Sequence, residues 1–232
     1  MLKKHSKNIN GQSLMLQENQ WKKQPPQLLK YTKYTLKMLT NIILASKSEV
    51  RKSILNKNDL NCTVEPSNVD EDIIKESLLK EEASPEIISK NLAELKANKV
   101  SAKNPDNIVL GADSVIDLNG ELISKPESRA EALLILKKLN GQKHHLISSV
   151  CISKNGSMIW NYTDKAILEM KNFSEDELKK YLLKISDKNL YAYNVYQIEG
   201  EGRKLFSRIN GDEDTIMGLP VKKIKEYLKQ IR

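Results

Sequence analysis

The sequence predicts an α/β fold in which helices flank a mixed, twisted β-sheet. Apolar, strand-like segments alternate with amphipathic, helix-like segments along residues 41–232, a pattern typical of α/β domains. The pairs Asn119-Gly120 and Asn155-Gly156 favour tight β-hairpins and therefore antiparallel strands. Hairpins placed among crossover helices predict a mixed sheet rather than the fully parallel sheet of a Rossmann domain.

The first elements follow from apolar patterning and helix-start signals. A strand is expected at 41–45, a helix at about 48–56 and a short strand near 61–64. Ser84 followed by Pro85 is typical of a helix N-terminus, and residues 87–100 continue with apolar positions three and four apart. The run IVLGADSVIDL at 108–118 predicts a strand.

The later helices carry their own end signals. Residues 128–139 are amphipathic and end at Asn140-Gly141, a good helix stop. Ser174 and Glu177 have the spacing of a capping box, which predicts a helix start. A last helix is expected after Leu219-Pro220.

Composition predicts a soluble, cytoplasmic protein that does not enter a membrane. Hydrophobic residues make up 39% of the 232 residues, and no apolar run approaches the roughly 18 residues that a membrane span needs. Cys62 and Cys151 are the two cysteines and lie far apart. This excludes a disulfide framework and a structural zinc site.

The net charge of +8 is concentrated in the first 38 residues. They contain eight Lys and one acidic residue, Glu18, whereas residues 39–232 carry 30 basic and 29 acidic side chains. We therefore expect residues 1–38 to form a disordered basic leader, with Met38 as the natural start, before one domain at 41–232. Because that domain has no basic excess and few aromatic residues, nucleic acid is not expected as its partner.

The segment from Ser46 to Arg51 is the first candidate for binding an anion. Hydroxyl groups, free backbone N–H groups and a guanidinium gather there at a helix N-terminus, where the helix dipole favours a phosphate. The residues alone leave a simpler alternative open, in which Ser46 or Ser48 caps the helix and Arg51 is solvated.

Carboxylates supply two further candidates. Asp113 interrupts an otherwise apolar strand, where it needs a metal, a catalytic water or backbone donors as partners. Asp70, Glu71 and Asp72 precede a helix and could hold Mg²⁺ or simply favour the helix dipole.

Three other positions could be functional or ordinary. Lys125 stands next to Pro126, and Lys96 lies on a helix among apolar neighbours; in a Lys-rich chain both could be solvated charges. For His144-His145 we favour a structural interpretation, with one side chain pointing in and one out, because no nucleophile or third ligand is in register with them.

Eight motifs together resemble the Maf family in order and spacing, from about residue 41 to 232. They are LASKSEVR at 44–51, VDE at 69–71, LAELKA at 92–97, GADS at 111–114, ISKP at 123–126, LNG at 139–141, VYQIEGEG at 195–202 and INGDEDTIMGLP at 209–220. The resemblance implies a nucleoside triphosphate pyrophosphatase related in fold to inosine triphosphate pyrophosphatases. It further implies two lobes around a cleft, a homodimer, and dependence on a divalent cation, Mg²⁺ or Mn²⁺.

The resemblance also implies roles for individual residues. Asp113 matches the family's proton acceptor, and Glu71 with Asp113 would place the metal. The positions that match the family's polyphosphate-binding residues are Ser48, Arg51, Lys96 and Lys125. Water would attack the α-phosphorus and pyrophosphate would leave, without a covalent intermediate.

Departures from the family pattern concern the choice of base. Val50 stands where relatives often carry Arg or Trp, and Ser114 where pyrimidine-preferring members carry Thr. Glu199 replaces a Gln of those members and resembles the Glu of the 7-methyl-GTP enzymes. Since a carboxylate only accepts hydrogen bonds, it suits the N–H edge of guanine, and we expect a guanine-type or modified base. The family's Asp-Lys-Ala-Gly-Ala-Tyr run reads YAYNVY here, at 191–196, which removes a Lys from the pocket wall.

The main alternative is a nucleotide-binding regulatory protein of cell division that does not turn over its ligand. Such a protein would be expected to lack Asp113 or the cationic side chains, and this sequence has both. A nucleic-acid-binding function would require the leader at 1–38.

Overall fold

The computed structural model describes residues 42–231, except for the side chains of residues 192 and 193. The expectations about the leader at 1–38 and about Met38 lie outside the described residues. The strands are β1 Ile42–Leu44, β2 Cys62–Val64, β3 Ile108–Leu118, β4 Glu121–Ile123, β5 Lys143–Lys154, β6 Ser157–Met170 and β7 Phe206–Asn210. The helices are α1 Glu49–Lys57, α2 Glu71–Lys80, α3 Pro85–Ser101, α4 Arg129–Leu139, α5 Glu175–Leu183, α6 Asp187–Tyr193, α7 Glu213–Ile216 and α8 Val221–Gln230, with a 3₁₀ helix at Glu201–Leu205.

Helices begin where the sequence places their caps. The Ser84 side chain accepts a hydrogen bond from the backbone N–H of Ile87, and Pro85 opens α3. Ser174 and Glu177 form a complete capping box at the start of α5. Each contact satisfies backbone donors that the first helical turn leaves without a partner. The predicted starts of both helices are confirmed.

The seven strands form one mixed sheet in the order β2-β1-β3-β5-β6-β7, with β4 beside β3. Strand β1 runs parallel to β2 and to β3, and the other pairs are antiparallel. The hairpins at Asn119-Gly120 and Asn155-Gly156 join β3 to β4 and β5 to β6. Both residues of each pair have positive φ, as such turns require. The predicted mixed sheet is confirmed.

Strand β3 changes partner along one of its edges. On that edge it pairs with β1 up to Leu110 and with β4 from Ile116 onward. Within the described part of the chain, no strand covers residues 111–115 on this side, whereas β5 pairs with β3 along the whole of its other edge. Asp113 lies in the middle of this open stretch, so polar groups can reach it without breaking the sheet.

Gly111 brings α3 directly onto β3. A Cβ atom at this position would stand 2.2 Å from the carbonyl oxygen of Ala93 and 2.9 Å from the Cβ of Ala97. Such contacts are far inside van der Waals distance, so only glycine permits this approach of helix and strand. The close packing carries Lys96, on the same helix, to Asp113, two residues further along the strand.

Two hydrophobic clusters support the sheet, one around Leu136 and Leu168 and the other around Leu55 and Ile224. Met217 packs against both clusters. None of the helices in the described residues is both long and apolar enough to cross a membrane.

Candidate active site

A cavity of about 450 Å³ opens at the uncovered stretch of β3. Every residue that the sequence predicts as functional lines it. These residues are Ser48, Val50, Arg51, Glu71, Lys96, Asp113, Ser114, Lys125 and Glu199. They come from six separate segments of the chain, so the fold gathers them into one pocket. Residues of both hydrophobic clusters, such as Val50 and Ile198, also contribute to the walls.

Lys96 lies between two carboxylates at the bottom of the site. Its ammonium Nζ is 2.8 Å from Asp113 Oδ1 and 2.8 Å from Glu71 Oε1. Only 5% of Lys96 and 5% of Asp113 is exposed, so Lys96 is not the solvated charge that its sequence context allowed. Buried charges need such partners because water no longer stabilises them.

Asp113 keeps one carboxylate oxygen without a protein partner. Its Oδ1 accepts from Lys96, whereas its buried Oδ2 has no hydrogen-bond partner among the described residues. The alternative of a strand-end Asp satisfied by backbone donors is therefore wrong, because Asp113 is central in β3 and is bound by an ammonium. A buried carboxylate oxygen aimed into a cavity is suited to a cation or a water proton.

The three acidic residues before α2 have separate roles. Asp70 caps the helix by accepting from the backbone N–H of Ile73, and the Asp72 side chain is 95% exposed. Glu71 alone reaches Lys96. Partial burial acts to raise the pKa of Glu71, but the charge and hydrogen bond of Lys96 outweigh it and lower that pKa. Glu71 is therefore held in its ionised form.

Arg51 is bound almost entirely by protein acceptors. Nε donates to the carbonyl of Gly218 at 3.0 Å, and Nη1 donates to the carbonyl of Ala112 at 3.0 Å and to Ser46 Oγ at 3.3 Å. Nη2 donates to Ser114 Oγ at 3.0 Å. These bonds use four of the five N–H groups of a guanidinium. Arg51 is thus not a solvated helix residue, and it has a single N–H left for a ligand.

Ser48 both caps α1 and lines the pocket. Its Oγ accepts from the backbone N–H of Arg51 at 3.3 Å, and its own N–H donates to Ser46 Oγ at 3.2 Å. The helix-capping alternative is therefore confirmed, and it is compatible with an anion site at the same helix N-terminus.

Ser114 is held by a chain of hydroxyl groups. Ser148 Oγ donates to the carbonyl of Thr215 at 2.8 Å and lies 2.9 Å from Ser114 Oγ. Since the Ser148 proton is used for Thr215, Ser114 is the donor to Ser148, and it accepts from Arg51. The orientation of the Ser114 hydroxyl group is therefore fixed, and the remaining lone pair of Ser114 Oγ is available to a ligand.

Lys125 is an exposed residue of the pocket lining and has no ion pair among the described residues. Partial desolvation by the pocket lowers its pKa, the carboxylate of Glu71 opposes this, and the charge of Arg51 adds to the lowering. Lys125 is therefore a cation that remains available to a ligand.

The pocket also contains residues that the sequence did not single out. Lys75, Gln197, Met217 and Gly218 belong to its lining. Gly218 lies in the INGDEDTIMGLP motif and Gln197 in VYQIEGEG, so the family motifs could have identified both as pocket residues. No sequence signal marked Lys75, because the chain contains many Lys residues.

The paired histidines have a structural role in this arrangement. His144 is fully buried and its Nε2 is 2.8 Å from the Tyr196 hydroxyl. Burial, and then the neighbouring His145, lowers the pKa of His144 to about 4. His144 is therefore neutral near pH 7 and supports Tyr196, which lines the pocket.

Asp113 and Glu71 are the residues that could hold a divalent cation. No cluster of three or more His, Cys, Asp or Glu ligands occurs within residues 42–231. Mg²⁺, however, is commonly held by one or two carboxylates together with substrate phosphates. The unpartnered Asp113 Oδ2 fits such a ligand.

Comparisons with known proteins agree with the motifs. A family model described as Maf-like protein matches residues 41–231. A nucleoside triphosphate pyrophosphatase of Pelagibacter ubique is 73% identical over 195 residues, which cover 84% of this chain and 100% of that relative. A 7-methyl-GTP pyrophosphatase of Rhizobium etli is 32% identical and covers 84% of this chain and 98% of its own length.

A solved structure also matches, though weakly. The nucleoside-triphosphatase, or dITP/XTP pyrophosphatase, of Mycobacterium abscessus shares 11% identity and a TM-score of 0.39, over 83% of this chain and 94% of that one. The family match and the 73% identical relative are sufficient, and the chain belongs to the Maf family.

Proposed function

We propose that this pocket hydrolyses nucleoside triphosphates to a nucleoside monophosphate and pyrophosphate. The observation that carries the proposal is the burial of Asp113 in the cavity. One of its oxygens accepts from Lys96, and the other has no partner among residues 42–231. The name of the 73% identical relative, nucleoside triphosphate pyrophosphatase, supports the same reaction. A carboxylate placed in this way can accept a proton from a bound water.

In the proposed step, Asp113 orients a water molecule for attack on the α-phosphorus. A bond forms between the water oxygen and the α-phosphorus, the bond from that phosphorus to the bridging oxygen of the β-phosphate breaks, and pyrophosphate leaves. Asp113 Oδ2 takes the water proton. Lys96 holds Oδ1 at 2.8 Å and thereby fixes the carboxylate while the proton is transferred.

Asp113 and Glu71 would hold a divalent cation, Mg²⁺ or Mn²⁺, next to the phosphate chain. The cation supplies positive charge against the negative charge that grows on the phosphate oxygens. The chain contributes the N-terminus of α1 with Ser48, the remaining N–H of Arg51, and the ammonium groups of Lys96 and Lys125.

We infer a guanine-type or modified base from the wall formed by Val50, Ser114 and Glu199. The Glu199 side chain is exposed in the pocket and can only accept hydrogen bonds when ionised. Guanine presents N–H donors along its Watson–Crick edge, whereas uracil and thymine present mainly carbonyl oxygens there. One relative in the comparison is named 7-methyl-GTP pyrophosphatase, which supports this inference. We also infer a cytoplasmic homodimer, on the family resemblance alone.

The experiment for this function compares kcat/KM for pyrophosphate release from GTP, 7-methyl-GTP, UTP and dTTP, with Mg²⁺ and with Mn²⁺. A guanine nucleotide is expected to exceed UTP and dTTP by roughly tenfold, the discrimination that about 1.4 kcal/mol provides. Glu199→Gln should narrow the difference in kcat/KM between guanine and pyrimidine nucleotides. Glu201→Gln should not, because Glu201 is a half-buried neighbour that pairs with Lys204 outside the lining. A clear preference for UTP or dTTP would contradict the base assignment. If the protein binds nucleotides but releases pyrophosphate from none of them, the result would favour the alternative of a nucleotide-binding regulatory protein.

A further inference from the structure

The pocket as described above has little net positive charge in its centre. Arg51 and Lys96 contribute two positive charges to the lining, and Asp113 and Glu71 contribute two negative charges. Both carboxylates contact Lys96. These four charges cancel. A triphosphate carries several negative charges, and electrostatic stabilisation of phosphoryl transfer requires cations that are not already neutralised.

Lys75 is a cation in this pocket that none of the family-matched positions includes. It follows Glu71 by four residues on α2, and this spacing puts both side chains on the same face of the helix. Both residues line the cavity. The chain therefore presents Lys75 to the pocket on the element that also delivers Glu71.

The partners of Lys75 are too weak to explain its placement. Its Nζ lies 3.5 Å from Asp72 Oδ1, at the limit of a hydrogen bond, and the Asp72 side chain is 95% exposed. An ion pair of this kind contributes very little. The Lys75 side chain is nevertheless only 18% exposed, whereas Lys47, another cation in the lining, is exposed. Lys75 is thus held inside the pocket without a strong protein partner.

The position of Lys75 relative to the other groups indicates which end of the substrate it faces. Its charge helps to lower the pKa of both Glu71 and Lys125, so it lies within electrostatic range of both. Arg51 donates to Ser114, on the wall assigned to the base, whereas Lys75 stands one helical turn after Glu71 on α2. Lys75 therefore lies near Glu71 and Lys125, two residues assigned to the cation and the phosphate chain.

We propose that Lys75 binds the β- and γ-phosphates of the substrate, the part that leaves as pyrophosphate. The proposal rests on the function proposed above and adds a phosphate-binding residue to it. Lys75 and Lys125 then hold the leaving group from two sides, while Glu71 and Asp113 stand at the α-phosphorus. An ammonium group donates charge-assisted hydrogen bonds to phosphate oxygens, which are stronger than neutral ones.

The test measures binding of inorganic pyrophosphate and of GMP by calorimetry in the presence of Mg²⁺, for the full chain and for variants at Lys75. Lys75→Ala and Lys75→Gln are expected to weaken pyrophosphate binding about tenfold and to change GMP binding less than twofold. Lys75→Arg should retain most of the pyrophosphate affinity. The matched control is Lys80→Ala on the same helix, where Lys80 is 73% exposed and pairs with Glu76 outside the pocket.

Kinetics supply the second readout. Lys75→Gln should raise KM for the triphosphate about tenfold while Lys80→Ala leaves it unchanged. Unaltered pyrophosphate affinity in folded Lys75→Ala and Lys75→Gln, or an equal loss of GMP affinity, would overturn the proposal. The wild-type chain could bind pyrophosphate in a Lys75-dependent way and yet release no pyrophosphate from any nucleotide. That result would support the Lys75 site and contradict only the proposed reaction.

Discussion

Asp113→Asn is expected to lower kcat for pyrophosphate release about 10³-fold while the protein stays folded. The amide keeps the shape of the side chain but cannot take a proton from water, and general base catalysis contributes roughly 10²–10⁴-fold. It also removes the negative charge that would help to hold a divalent cation. Affinity for a triphosphate with a non-hydrolysable α,β-methylene bridge should change less than tenfold, because the phosphate-binding cations remain.

The control for Asp113→Asn is Asp117→Asn on the same strand. Asp117 accepts from the backbone N–H of Gly120 in the hairpin turn at 2.7 Å and does not line the pocket. Its amide variant should retain nearly wild-type kcat. Turnover by Asp113→Asn within tenfold of wild type would remove Asp113 from its proposed role.

Lys96→Met is expected to reduce both stability and activity. The change leaves Asp113, 5% exposed, without the ammonium that neutralises it, and removing one partner of a buried ion pair lowers the free energy of unfolding by about 3–5 kcal/mol. Denaturant unfolding at pH 7 measures this loss. Lys90→Met on the same helix is the control, because Lys90 pairs with Glu86 at the surface and should change stability by less than about 1 kcal/mol.

The same variant should shift the pH dependence of kcat/KM. In the wild type, Lys96 lowers the pKa of Glu71 against the opposing effect of burial. Without Lys96 the pKa of Glu71 rises, so its ionised form is lost at a higher pH as the solution is acidified. The acid limb of the profile should therefore move to higher pH. A limb that stays in place would mean that ionised Glu71 is not needed for the reaction.

Local signals in the sequence predicted most of the fold. The caps at Ser84 and Ser174 and the Asn-Gly turns act within a few residues, so they can be interpreted without knowledge of the rest of the chain. Strand β7 was not predicted, because Phe206–Asn210 is short and is defined by pairing with β6, about 40 residues earlier. Its place at the sheet edge depends on that distant partner.

The candidate site was predicted as a set of residues but not as a set of contacts. The family motifs contain the nine residues predicted as functional, and all nine belong to the pocket lining. The sequence did not show that Lys96 bridges Glu71 and Asp113, or that Arg51 donates to Gly218, 167 positions away. Such contacts arise from tertiary packing; the contact between Lys96 and Asp113, for example, follows from the close approach of α3 to Gly111. The hydrogen bonds of Arg51 tie separate segments of the pocket together and leave one N–H for the proposed phosphate contact.

The central claim is that water attacks the α-phosphorus under the control of Asp113. Hydrolysis in water enriched in ¹⁸O, followed by mass spectrometry of both products, tests it most directly. One ¹⁸O atom should appear in the nucleoside monophosphate and none in the pyrophosphate, because the new bond forms at the α-phosphorus. Label in pyrophosphate, or release of labelled orthophosphate with a nucleoside diphosphate, would place the attack at another phosphorus and contradict the account.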